Sequence, residues 1–298
     1  MPLSIFFQVL VGGVVLGTIY ALVAFGLSLI YGVVRILNFS HGTILAVSAI
    51  AGCMLFAAFG IHPALIAAIL IPPVALFGYG FYAILLDPLF RRPPAETMVG
   101  TVLVTVGALL ILSDLAAALA GTSLRTIQVT SPVFFIGGVI LSATNIAIMA
   151  GIIALVVVIH LALTRTWLGC AIRALTADQL GAQICGVRGH LIRGTTFAFA
   201  YAVVAIAAVF YAISYPVDPY LGLGLTVKAF TIIVLGGIGN LPGSLLAGLF
   251  LGVAEAFTAF FAGTAWAPAV SILLLLAILI VLPQGLGWHQ GIRSWRVG

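Results

Sequence analysis

From Ile36 to Leu86 the chain runs for 51 residues without one acidic or basic side chain. A transmembrane helix needs about 20 consecutive apolar residues, so this stretch has room for two. Further uncharged stretches cover 126–164, 229–254 and 256–292. Charged residues make up 6% of the 298 and hydrophobic ones 64%, whereas soluble domains carry about 25% charged residues. A water-soluble monomer of this length would need far more polar surface. The reading is an all-α, polytopic membrane protein with about 8–9 transmembrane helices, some of them broken or re-entrant.

Spans are expected near 5–33, 40–60, 64–86, 97–119, 143–163, 194–214, 220–239, 245–263 and 267–283. The segment 220–239 is the least regular, because it carries Lys228 and five glycines. The first span begins almost at Met1, lacks a basic flank and exceeds 25 residues, so it reads as retained and not as a signal peptide. The arginines sit singly or in pairs: Arg35, then Arg91 and Arg92, then Arg165, Arg173, Arg188 and Arg193, and finally Arg293 and Arg296. The alternate loops, near 61–63, 120–142 and 215–219, contain only Arg125. This asymmetry places the arginine-rich set in the cytoplasm and the N-terminus outside. It also accounts for the basic pI of 9.4 without nucleic acid as a partner. Cys53, Cys170 and Cys185 have neither disulfide-framework nor metal spacing.

The segment 164–193 is the longest with regularly spaced charges. Thr176 and Gln179 have capping-box spacing, and Gly186 stands where a glycine ends a helix. The helix between them is too short to persist alone in water, so something must pack on it. Ala177, Leu180, Ile184 and Val187 share one face. That face suits either a lipid surface or a groove on a cytoplasmic partner.

The run from Arg173 and Ala174 through Asp178, Leu180, Ala182 and Ile184 to Gly186 resembles the cytoplasmic coupling loop of ABC importer permeases. More narrowly, it is similar to the LivH-type subunit of branched-chain amino-acid uptake systems. The resemblance extends to Asn38-Phe39-Ser40-His41-Gly42, Asp218-Pro219-Tyr220-Leu221-Gly222, Lys228-Ala229-Phe230, the run Val234-Leu235-Gly236-Gly237-Ile238-Gly239-Asn240-Leu241-Pro242-Gly243, and Gly248 to Glu255. It implies one transmembrane permease domain over 1–298, with a coupling segment at about 164–193. The coupling residues it implies are Arg173, Ala174, Asp178, Leu180, Ala182, Ile184, Gly186 and Arg188. It further implies two ABC ATPase subunits carrying ATP and Mg, a second homologous permease forming a hetero- or homodimer, an extracytoplasmic binding protein and a bacterial-type inner membrane. The solute would be a branched-chain or other small apolar amino acid; urea and short amides are the alternatives within the family, and a secondary transporter or channel the alternative outside it.

The residues themselves exclude an ATP site, since a phosphate loop needs Gly-Lys-Ser/Thr and Val227 and Ala229 flank the single lysine, Lys228. Five histidines without paired spacing offer no metal site, no Gly-x-Ser-x-Gly elbow is present, and an enzyme lacks support. Asn38, His41 and Gly42 interrupt the first two apolar runs, and Asn38 to Ala46 echoes Asn240 to Ala247. Matched interruptions suit a repeat with broken helices beside a pathway, which points to Asn38, His41, Gly42, Gly237, Gly239, Asn240 and Gly243; either segment could equally begin a membrane helix. Glu255 has 26 uncharged residues before it and 37 after it. A carboxylate at bilayer depth costs about 2.5–3.5 kcal/mol and needs a partner, for which Lys228 is the nearest candidate, as a structural pair. Gly12, Gly13, Gly17, Gly248 and Gly252 form small-residue ridges suited to close helix approach.

Overall fold

The computed structural model describes residues 3–136, 138–237 and 240–281. Among these residues it forms eleven α-helices: α1 Leu3–Val34, α2 His41–Phe59, α3 Pro63–Gly80, α4 Pro94–Ala120, α5 Ala143–Arg165, α6 Trp167–Ala177, α7 Gln179–Ile184, α8 Gly189–Ser214, α9 Leu221–Gly236, α10 Leu241–Ala262 and α11 Ala267–Val281. After α3 the chain continues through a π-helical turn, Phe81–Leu86, and a 3₁₀ turn, Asp87–Arg91. Pro94 opens α4 at a position where its missing N–H costs nothing.

Seven of these segments are long and apolar enough to cross a bilayer among the described residues: α1, α2, α3 with its two turns, α4, α5, α8 and α10. At about 1.5 Å per residue, the 19 residues of α2 span close to the hydrocarbon thickness. Helices α9 and α11, with 16 and 15 residues, match the remaining two expected spans but are shorter. The end of the last expected span, with Arg293 and Arg296, lies outside the described residues.

The most apolar span is also the least buried, the reverse of what water would select. The most apolar span, α5, has a mean hydropathy of 2.9 yet only 17% of its window is buried, whereas α1 and α8, at 2.2, are 67% buried. Apolar side chains turned outward along a whole helix require a hydrocarbon solvent. The fold is therefore that of a polytopic helical membrane protein. The segment 120–142, expected as a loop, also contains a small antiparallel hairpin of β1 Val133–Ile136 and β2 Val139–Ser142. Gln8 closes one edge of it, donating from Nε2 to the Ile140 carbonyl at 3.1 Å and accepting from the Ile140 amide at 2.8 Å.

The described residues gather into two compact units, one drawn from within 1–28, 128–154 and 227–281 and the other from 29–127 and 155–226. In the first, α1 meets α10 along glycines. A methyl group on Gly13 would lie 2.8 Å from the Val253 Cα, one on Gly17 2.7 Å from the Leu249 Cα, and one on Gly248 2.6 Å from the Ala21 Cβ. Gly12, by contrast, faces open space. In the second unit α8 is the central post, packed by α2 and α3. Gly78 of α3 lies against the Tyr201 ring, where a Cβ would come within 2.8 Å of Cδ2.

Candidate functional site

Among the described residues, three polar clusters stand out within apolar sequence. The first, in the second unit, is the break between α1 and α2. Helix α1 ends as Arg35 turns to φ 57, and an interrupted helix in hydrocarbon leaves backbone groups that side chains must satisfy. Asn38 does this locally, accepting from the Ser40 amide at 3.2 Å and from the Ser40 hydroxyl at 2.8 Å. Its Nδ2 donates to the Tyr201 hydroxyl at 3.1 Å. The Gly42 amide donates to Thr226 Oγ1 at 2.9 Å, and that hydroxyl has the carbonyls of Phe39 and Gly222 within 3.1 Å. A side chain at Gly42 would overlap the Gly222 carbonyl and lie 2.6 Å from Thr226 Oγ1, so glycine is required for this approach. Asn38, Ser40 and His41 are fully buried, and the His41 ring lies 6.0 Å from that of Tyr201.

The second cluster, in the first unit, is the break between α9 and α10. Gly237 takes φ 89 after α9, and Asn240 caps α10 by accepting from the Gly243 amide at 3.1 Å. A Cβ on Gly243 would overlap the Gly236 carbonyl, so the two helix ends touch through backbone. Gly239 lies outside the described residues. Asn38 and Asn240 thus each use a side-chain oxygen to hold a backbone amide at a helix break.

The third cluster, also in the first unit, holds the charges left inside apolar sequence. Lys228 Nζ lies 2.8 Å from Glu255 Oε2. Tyr20, which the sequence reading missed, completes it: its hydroxyl donates to the same carboxylate oxygen at 2.9 Å and accepts from Lys228 at 2.6 Å. The ammonium also sits 4.7 Å from the Tyr20 ring centroid. The Glu255 residue is 2% exposed. Removing one member of such a pair leaves an uncompensated buried charge, at about 3–5 kcal/mol.

The arginine-rich segment is folded as two short helices rather than one. Asp178 takes an extended conformation between α6 and α7 and caps α7, accepting from the Leu180 amide at 3.0 Å. Thr176 does not cap; its hydroxyl donates to the Ile172 carbonyl inside α6 at 2.8 Å. The expected capping box is therefore replaced by the short carboxylate of Asp178, which sits immediately ahead of the helix. Gly186 follows α7 at φ 87, with the Val187 amide returning to the Ala182 carbonyl at 3.0 Å, a glycine stop of the expected kind. Ala182 is buried, Ala174 half-buried, and Asp178, Gly186 and Arg188 are exposed. Leu180 and Ile184 are 69% and 78% exposed, the apolar ridge of α7. The exposed Arg173 donates to the Leu163 carbonyl at the end of α5. At the opposite end of α8, the loops around 125 and 217 are joined by paired backbone hydrogen bonds between Arg125 and Val217 at 3.0 and 2.8 Å.

Apolar helices of bilayer-crossing length, interrupted by polar helix breaks, define a multi-pass membrane protein. Residues 9–282 match the family described as branched-chain amino acid transport system, permease component, and the chain belongs to that family. It is 31% identical over 301 residues to the high-affinity branched-chain amino acid transport system permease protein BraD of Pseudomonas aeruginosa, covering 94% of this chain and 95% of the relative. The LivH permease protein of Escherichia coli K12 is 30% identical at the same coverages. The probable LivH of Methanocaldococcus jannaschii is 22% identical over 294 residues, covering 94% of this chain and 91% of that protein. Among solved structures, PsaBC from Streptococcus pneumoniae in complex with Fab has a similar fold, with a TM-score of 0.52 at 12% identity over 96% of this chain and 94% of that one.

Proposed function

We propose that this chain is the membrane-spanning subunit of an ATP-driven ABC importer in a bacterial-type inner membrane, carrying branched-chain or other small apolar amino acids. An extracytoplasmic binding protein delivers the solute to the surface formed by the paired loops at 125 and 217. Two ATPase subunits, which hold ATP and Mg, dock in the cytoplasm on α7, and a second homologous permease completes the pathway. ATP binding and hydrolysis then alternate access by moving helices that α7 touches.

The observation that carries this reading is α7 itself. Six residues cannot hold a helix in water unaided, yet this one presents Leu180 and Ile184 outward on a polar loop. An apolar ridge on a short, capped helix fits a groove on a partner. Arg173, Ala174, Asp178, Ala182 and Gly186 hold that ridge in place through the α5 contact, the cap and the glycine stop, and the exposed Arg188 follows it. Within the second unit, the buried Asn38, His41 and Gly42 cluster is irregular backbone of the kind that lines a pathway. Lys228, Glu255 and Tyr20 hold α1, α9 and α10 in register.

The test is purification of the tagged chain from native membranes. The expected result is co-purification of ATPase chains and a second permease, with loss of the ATPase chains in Leu180→Glu. Purification alone, or with uptake that continues after the ATPase genes are removed, would identify a secondary transporter or channel instead.

A further inference from the structure

The exposed ridge accounts for Leu180 and Ile184 but leaves Gln179, the first residue of α7, unexplained. Its half-buried side chain bridges two other elements of the second unit. Gln179 Nε2 donates to the Val33 carbonyl at the end of α1 at 3.2 Å, and Oε1 accepts from Arg193 Nη2 on α8 at 3.1 Å. The Val33 carbonyl is one of the last of its helix, a group with no intrahelical partner. Two residues later Arg35 makes its positive-φ turn into the break that contains Asn38.

Arg193 continues the chain of contacts. Its guanidinium lies 4.8 Å from the centroid of Phe90, in the 3₁₀ turn, and that ring is 6.2 Å from Tyr82 in the π-helical turn. The Tyr82 hydroxyl donates to Asp87 Oδ1 at 3.0 Å and ties the two turns together. Arg193 Nε is buried without a hydrogen-bond partner among the described residues, a donor left over that a second arrangement of the same groups can use. A π-turn carries one residue more than an α-turn, and such turns recur inside helices at functional sites.

We propose that Gln179 and Arg193 are the positioning pair that carries movement of α7 into the membrane helices, to the Asn38 break through Val33 and to the π-turn of α3 through Phe90 and Tyr82. The proposal rests on the docking of ATPases at α7 given above. A docked helix transmits force only through groups that join it to its neighbours, and this side chain joins α7 to both α1 and α8.

The test uses the whole complex, with its ATPase chains and binding protein, in proteoliposomes. The readout is solute transported per ATP hydrolysed for Gln179→Ala, Arg193→Ala and the double variant. Each single variant is expected to lower that ratio about fivefold or more, with ATPase chains still co-purifying in wild-type amounts. The double variant is expected to fall no further than the worse single one, the mark of residues acting as one unit. Gln179→Glu keeps the acceptor for Arg193 and loses the donor to Val33, so it should fall between wild type and Gln179→Ala; it also serves if the alanine variant does not fold. Singles with a wild-type ratio, or a double loss equal to the product of the two single losses, would overturn the proposal. Reduced yield and reduced hydrolysis at an unchanged ratio would also overturn it, since those mark a merely structural role. Failure of the wild-type chain to retain ATPases would instead count against docking at α7.

Discussion

Lys228 and Glu255 show what single residues must do at bilayer depth. Each charge would be costly alone, and their 2.8 Å contact, with Tyr20 against both, converts two liabilities into one neutral cluster. Lys228→Met should lower the stability of the detergent-solubilised chain by about 3–5 kcal/mol, read as a fall in midpoint on thermal unfolding. Adding Glu255→Leu should recover most of that loss, because the pair is then replaced by apolar groups. A second residue-scale test contrasts neighbours in sequence. Gly13→Ala forces a methyl group onto the Val253 backbone and should lower yield and melting temperature, whereas Gly12→Ala meets open space and should be neutral or slightly stabilising. The sequence suffices to pair Lys228 with Glu255, since an isolated charge in apolar sequence must find its opposite. Tyr20 and Tyr201 stay hidden in it, because tyrosine in a span signals an interface or a core as readily as a polar partner.

At the scale of elements, most of the helices follow from hydropathy alone. Seven of the nine expected spans coincide with helices long enough to cross and the other two with the shorter α9 and α11, because an apolar run in lipid has one affordable backbone form. Sequence logic falters where that constraint lapses. The hairpin Val133–Ser142 formed in a segment expected as loop, and the arginine-rich segment broke into α6 and α7 at Asp178. In both places local hydrogen bonding, not solvent, selects the conformation. Gln179 shows the consequence: its spacing from Thr176 suits a cap, yet tertiary partners on α1 and α8 claim its side chain. Asp178→Ala removes the cap of α7, worth about 1 kcal/mol. Hydrogen exchange at the α7 amides should then quicken severalfold while the exchange of α8 stays unchanged.

For the whole molecule, the family match over residues 9–282 and relatives at 30–31% identity agree with a set of membrane-length helices whose most apolar member, α5, is also the least buried. On the proposed reading the driving force comes from partner ATPase chains and enters through α7. The most direct measurement is uptake of labelled leucine into ATP-loaded membrane vesicles bearing the complex, compared between wild type and Leu180→Glu at equal levels of inserted chain. ATP-dependent uptake is expected in wild type, with its loss in Leu180→Glu. Uptake that is indifferent to ATP, or unchanged when Leu180 becomes glutamate, would contradict that reading.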